Sequence, residues 1–67
     1  MKSVLVIGLG RFGTYIAKKF TELGNHVMAI DTDEEKVNEI LPYVTSAQIG
    51  DASKPSVLDA IGVDNFD

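Results

Sequence analysis

Apolar and polar positions along this chain switch between two rhythms. Residues Ser3 to Gly8 hold an almost unbroken apolar run, Val4-Leu5-Val6-Ile7, which stops abruptly at glycine. A run that is apolar on both faces predicts a parallel strand covered by helices on each side. From Arg11 to Leu23 the rhythm becomes helical, with Phe12, Ile16, Phe20 and Leu23 on one face and Ala17 beside them. Gly24-Asn25 ends that helix, glycine being the usual left-handed residue there. His26 to Ile30 is the second strand.

Thr32 followed by Glu35 has the spacing of a capping box, and Asp33, Glu34 and Glu35 suit the positive end of a helix. The pattern turns Val37, Ile40 and Leu41 inward and stops before Pro42. Thr45 to Ile49 predicts a third, shorter strand. Gly50-Asp51-Ala52 forms a loop, Ser53 is the expected cap, and Pro55 is tolerated in the first turn of a third helix. Val57, Leu58 and Ile61 form the inner face of that helix and Gly62 closes it; Val63 to Asp67 reads as a connector.

The resulting order, β-α-β-α-β-α, predicts an α/β fold: a Rossmann-like doubly wound parallel sheet with strands ordered 3-2-1. In such a domain a fourth strand lies beside the first, and the ligand crevice opens between them. This sequence ends where that strand would begin. The expectation is therefore that residues 1–67 are the first half of a nucleotide-binding domain, as a fragment, a split subunit or a half-fold. Its first strand would be an unpaired apolar edge, and association through that edge is expected.

The junction between the first strand and the first helix carries the chemistry. Gly8-Leu9-Gly10-Arg11-Phe12-Gly13 fits Gly-x-Gly-x-x-Gly, a weak signal as a bare string. It gains value from the strand before it, the helix after it and an acidic residue about twenty positions on. Gly8 permits the tight turn, Gly10 lets backbone approach a pyrophosphate, and Gly13 lets the helix pack close to the sheet. The free amides at the helix start would face the phosphates. Asp31, ending the second strand, is the expected acceptor for adenosine ribose hydroxyls. Its charge would repel a 2′-phosphate, so NAD(H) or ATP/ADP is favoured over NADP. The ordinary alternatives are a turn without ligand for the glycines and a helix-entry residue for Asp31.

Charge and composition narrow the picture. The net charge is −4, with ten acids, which argues against nucleic acid as partner. The only charges in residues 1–19 are Lys2, Arg11, Lys18 and Lys19. Most of the charged residues are explained as solvated helix faces; Arg11, inside the phosphate loop, is the exception. A chain of 67 residues makes one small domain and buries about 60% of its unfolded surface. There is no cysteine, hence no disulfide or thiolate metal site. No apolar run of about 18 residues is present to span a bilayer, nor a signal peptide, which points to a cytoplasmic location. His26 lies at the sheet end opposite the crevice, and no catalytic constellation or metal-ligand spacing stands out. Tyr15 and Tyr43 are expected to be partly buried against the sheet.

Ile7-Gly8-Leu9-Gly10-Arg11-Phe12-Gly13, Leu23-Gly24-Asn25-His26-Val27, the run Ile30 to Val37 and Gly50-Asp51-Ala52 together resemble the N-terminal nucleotide-binding lobe of RCK domains, also called KTN or TrkA-N domains. The resemblance extends over essentially the whole chain, and Gly-Leu-Gly-Arg-Phe-Gly is more specific than the generic glycine pattern. It implies a cytosolic regulatory module, not an enzyme, of Trk- and Ktr-type potassium transporters or related channels. Such modules form dimers and rings and bind ATP, ADP or NAD(H). On this resemblance Gly8 to Gly13 wrap the phosphates, with Arg11 reaching a phosphate or a neighbouring subunit's ligand. Asp31 holds the ribose, Thr32 and Asp33 line the same edge, and Asp51 and Ala52 sit by the adenine. Lys36 is a lesser candidate for a phosphate contact. Two other readings stay open: the cofactor half of an NAD-dependent dehydrogenase, and a half-fold that self-associates without sensing a nucleotide.

Overall fold

The computed structural model describes residues 1–66, so the last residue of the expected connector, Asp67, lies outside the described residues. Strands β1 (Ser3–Ile7), β2 (His26–Asp31) and β3 (Ser46–Ile49) alternate with helices α1 (Arg11–Glu22), α2 (Glu34–Ile40) and α3 (Pro55–Ile61). Short 3-10 turns follow α2, at Leu41–Tyr43, and α3, at Val63–Asn65. The three strands form one parallel sheet with β2 in the middle. The expected fold class and strand order are therefore present, and the register places Ile7 beside Ile30 and Asp31 beside Ile49.

Side chains alternate across a strand, and that alternation divides the core. Val6 on β1 and Val27 and Ala29 on β2 face Ala17 of α1 and Val37 and Ile40 of α2 in one buried cluster. Ile30 points to the other face, where it lies near Val57 of α3 across Gly50. Val27, Ile30 and Ile40 are the largest fully buried side chains. Each contributes about 2 kcal/mol by leaving water. β2 is thus buried on both faces, as its apolar run requires, whereas among the described residues β1 is paired only with β2, and it exposes Ile7.

Several local expectations are corrected. Of the predicted face of α1, Ala17 is buried and Ile16 and Phe20 pack partly, but Phe12 is 77% exposed and Leu23 65%. Phe12 borders a groove along the outer edge of β1, and Leu23 follows the last residue of the helix. Leu41 belongs to the turn that follows α2 and is exposed, not inward. Tyr15 and Tyr43 are exposed, and the Lys18 ammonium stands 4.3 Å from the centre of the Tyr43 ring. The cap of α2 is Asp33, not Thr32: the Asp33 carboxylate accepts from the Glu35 N–H. Lys54, not Ser53, precedes α3, because the Ser53 N–H and hydroxyl both donate to Asp51. Thr45 falls just outside β3 yet continues the pairing. Its N–H donates to the Val27 carbonyl and its Oγ1 accepts from the Val27 N–H.

Two glycines fix the approach of α1 to the sheet. Gly8 has φ +90°, a conformation that L side chains rarely adopt. A Cβ on Gly13 would collide with the Gly8 carbonyl oxygen and stand 3.1 Å from its carbon. Gly13→Ala must therefore push α1 off β1, and we expect a loss of about 3 kcal/mol of stability, the upper end for overpacking. Urea unfolding followed by circular dichroism checks this; a midpoint equal to that of the parent chain would contradict the close packing.

Candidate functional site

The three β-to-α loops meet at the carboxyl end of the sheet, and their backbone amides converge on Ile30 and Asp31. The Gly8 N–H donates to the Ile30 carbonyl at 2.9 Å, and the Gly50 N–H to the Asp31 carbonyl at 3.0 Å. The side chain of Asp31 takes two more. Its Oδ2 accepts from the Leu9 N–H at 2.7 Å and its Oδ1 from the Asp33 N–H at 2.8 Å. Asp31 thus binds the glycine loop, the β2–α2 loop and the β3–α3 loop to one another.

These bonds also set its charge. The Leu9 N–H, then the Asp33 N–H, hold the Asp31 carboxyl below its ordinary value; partial burial opposes them, and the Lys36 charge and the Thr32 N–H add to them. Asp51 is likewise lowered, first by the Ser53 hydroxyl and then by the Ser53 N–H.

An open cavity of about 410 Å³ lies over this junction. It is lined by Ile7, Gly8, Ile30, Asp31, Thr32, Gly50, Asp51, Ala52 and Ser53. That volume is within the range of small-molecule sites. Gly8, Asp31, Thr32, Asp51 and Ala52, expected from sequence, are therefore brought together. Asp51 enters with one oxygen occupied: its Oδ1 accepts from the Ser53 N–H at 2.9 Å and the Ser53 Oγ at 2.6 Å.

The other candidates lie elsewhere. Leu9, Gly10 and Arg11 line an adjoining cleft of about 480 Å³ together with Thr14, Lys36 and Glu39. Leu9 is buried, with its N–H committed to Asp31 and its carbonyl to the Thr14 hydroxyl. Gly10 precedes α1 with no side chain capping the helix, and a Cβ there would meet nothing within 4 Å. The amides of the first turn of α1 thus have no side-chain cap, the arrangement that suits an anion. Phe12 and Gly13 line a groove along β1 instead, and Asp33 spends its carboxylate on the α2 cap.

Sequence reasoning missed Ile7, Ile30, Gly50 and Ser53 as cavity residues. Their signal was present: Ile7 and Ile30 are the last apolar residues of their strands, and in a parallel sheet such positions floor whatever binds at the carboxyl edge.

A lowered carboxyl has a definite sign. Asp31 contributes its full stabilisation above the ordinary carboxylate value of about 4 and loses it as pH falls through its lower folded value. Asp31→Asn should therefore be less stable at neutral pH and show a shallower acid limb than the parent. Urea midpoints measured from neutral pH to about pH 2 test this; parallel acid limbs would contradict it.

The geometry can be set beside known proteins. A family model described as the TrkA-N domain matches residues 4–67. Ktr system potassium uptake protein C of Bacillus subtilis (strain 168) is 52% identical over 66 residues, covering 98% of this chain and 30% of that protein. Ktr system potassium uptake protein A of the same organism is 44% identical over 66 residues, with the same coverage. The Trk system potassium uptake protein TrkA homolog of Pyrococcus abyssi is 34% identical over 65 residues, covering 96% of this chain and 29% of that protein. The chain spans about 30% of the length of the curated relatives it matches.

Proposed function

The chain belongs to the TrkA-N domain family, and from that premise we propose that it is a cytosolic nucleotide-binding module that regulates a membrane potassium transporter. Residues 1–67 supply the first half of the nucleotide lobe. Their ligand is NAD(H) or ATP/ADP, not NADP, and their role is regulatory rather than catalytic. The potassium link is supported by the relatives, which are named as Ktr and Trk potassium uptake proteins.

The observation that carries the ligand reading is the position of Asp31 at a cavity beside the uncapped start of α1. Adenosine would lie over Ile7 and Ile30, between the loops carrying Thr32 and Ala52. The ribose hydroxyls would donate to the lone pairs of Asp31 that the Leu9 and Asp33 amides leave free. The phosphates would take the first-turn amides of α1, with Arg11 and Lys36 supplying positive charge from the adjoining cleft. A 2′-phosphate would meet the Asp31 carboxylate and be repelled. Regulation follows if two ligands stabilise different shapes of an assembly, because only differential affinity shifts an equilibrium.

Self-association belongs to this reading. Among the described residues β1 pairs on one side only, and Val4, Leu5, Val6 and Ile7 form an apolar groove of about 340 Å³ with Phe12, Gly13, Ile16 and Phe20. An uncharged, open edge of this kind invites strand pairing with a second copy.

Calorimetric titration with ATP, ADP, NAD, NADH and NADPH tests the proposal, with light scattering for mass. Saturable binding of the first four ligands or a subset, weak or absent for NADPH and lost in Asp31→Ala, is the expected result. Gly10→Ala should lose about tenfold or more in affinity, because a Cβ enters the phosphate path, yet less than about 1 kcal/mol of stability. Equal binding of NADPH, or full binding by Asp31→Ala, would overturn the ligand assignment.

A further inference from the structure

The ribose role leaves one feature of Asp31 unexplained. Both carboxylate oxygens hold backbone amides, one from the glycine loop and one from the β2–α2 loop. The shorter bond, 2.7 Å, runs to Leu9, the residue between the first two glycines of the phosphate loop. Leu9 is otherwise anchored by its buried side chain and by the Thr14 hydroxyl on its carbonyl. Gly8 and Gly10 on either side carry no side chain to anchor them, and the Gly8 carbonyl lies against Gly13 of α1. Gly8 is tied through its N–H to the Ile30 carbonyl, and the Gly10 carbonyl starts α1 by accepting from Thr14. The loop is therefore suspended between the end of β2 and the first turn of α1, and Asp31 supplies a side-chain tether at its centre.

We infer that Asp31 is a positioning residue for the phosphate loop, presetting the amides of the α1 first turn for a diphosphate independently of any ribose. The inference rests on the nucleotide-binding reading and deepens it. A conformation fixed before binding need not be ordered at the cost of affinity. A carboxylate suits the task because it accepts from both amides at once, and charge-assisted bonds of this length are the stronger kind. No neutral side chain of the same shape does the same: whichever way an asparagine turns, one of the two backbone donors faces an NH2 group.

The two roles of Asp31 predict opposite signs for a ligand that has phosphates but no ribose. If Asp31 acted on the ribose alone, replacing it by a neutral residue would leave pyrophosphate binding unchanged or strengthen it, since a nearby negative charge is removed. If Asp31 presets the loop, the same replacement weakens pyrophosphate.

The experiment titrates inorganic pyrophosphate and ADP into the parent chain and Asp31→Asn at fixed salt, alongside amide hydrogen exchange of both free proteins. The expected result is pyrophosphate binding weakened about tenfold in the variant, the scale of one hydrogen bond to a charged group, with ADP weakened further. The Leu9 and Asp33 amides should exchange faster in the variant while Val27 and Ala29 in β2 keep their protection, which separates a loop effect from general loosening. Pyrophosphate affinity that is unchanged or raised overturns the inference, as does a parent chain that binds ADP but not pyrophosphate. A parent chain that binds neither overturns the nucleotide reading itself. In that case, or if the variant does not fold, exchange in the parent decides the positioning: a Leu9 amide exchanging as fast as that of Gly10 overturns it.

Discussion

A parallel sheet presents all its strand ends, and therefore all its β-to-α loops, on one side, and something must hold those loops in a common frame. Here that constraint falls on the end of β2. The amides of Gly8, Leu9, Asp33 and Gly50 come from all three loops and find their acceptors on Ile30 and Asp31. Two of the acceptors are backbone carbonyls that any residue would supply. The other two are the oxygens of a single carboxylate, so the identity of residue 31 matters to loops distant in sequence. The central position of β2 makes this arrangement available, because only the middle strand of three has a neighbour on each side.

Much of this was legible in the sequence. Element order, strand adjacency, the glycine turn and the position of Asp31 follow from a two-residue rhythm, a helical rhythm and the punctuation between them. The failures share a cause. Periodicity states which side chains are apolar, not whether a neighbouring layer extends far enough to cover them. Phe12 and Leu23 continue the apolar face of α1, but Phe12 borders the groove along the outer edge of β1 and Leu23 follows the last residue of the helix, and both are exposed. Leu41 continues the face of α2 on paper, but the backbone has already tightened into the turn around Pro42.

The caps failed for a different reason. Thr32 and Ser53 have the right chemistry to begin helices, yet Asp31 and Asp33 on either side of Thr32, and Asp51 before Ser53, take the amides that set the helix start. Asp31 holds the Asp33 N–H and turns the chain so that Asp33 becomes the cap; Asp51 holds the Ser53 N–H and hydroxyl and delays α3 to Pro55. Local spacing rules rank such contests poorly because one contestant, Asp31, is also held by Leu9, 22 residues away in sequence. The residues that make the site were nameable from the sequence; the bonds among them were not.

The electrostatics of the site follow from the same economy of groups. With a net charge of −4, the chain as a whole does not attract an anion. On the proposed reading attraction comes from short-range features: the amides at the start of α1, and Arg11 and Lys36 at the adjoining cleft. Amide donors act over hydrogen-bond distances and only in the right direction, so their worth depends on loop geometry far more than that of a lysine on a flexible stem. A site built this way discriminates by shape. If the proposed nucleotide reading holds, ligands that differ only beyond the diphosphate engage the same loop and differ in the rest of their contacts, which is the condition under which two ligands stabilise two different states.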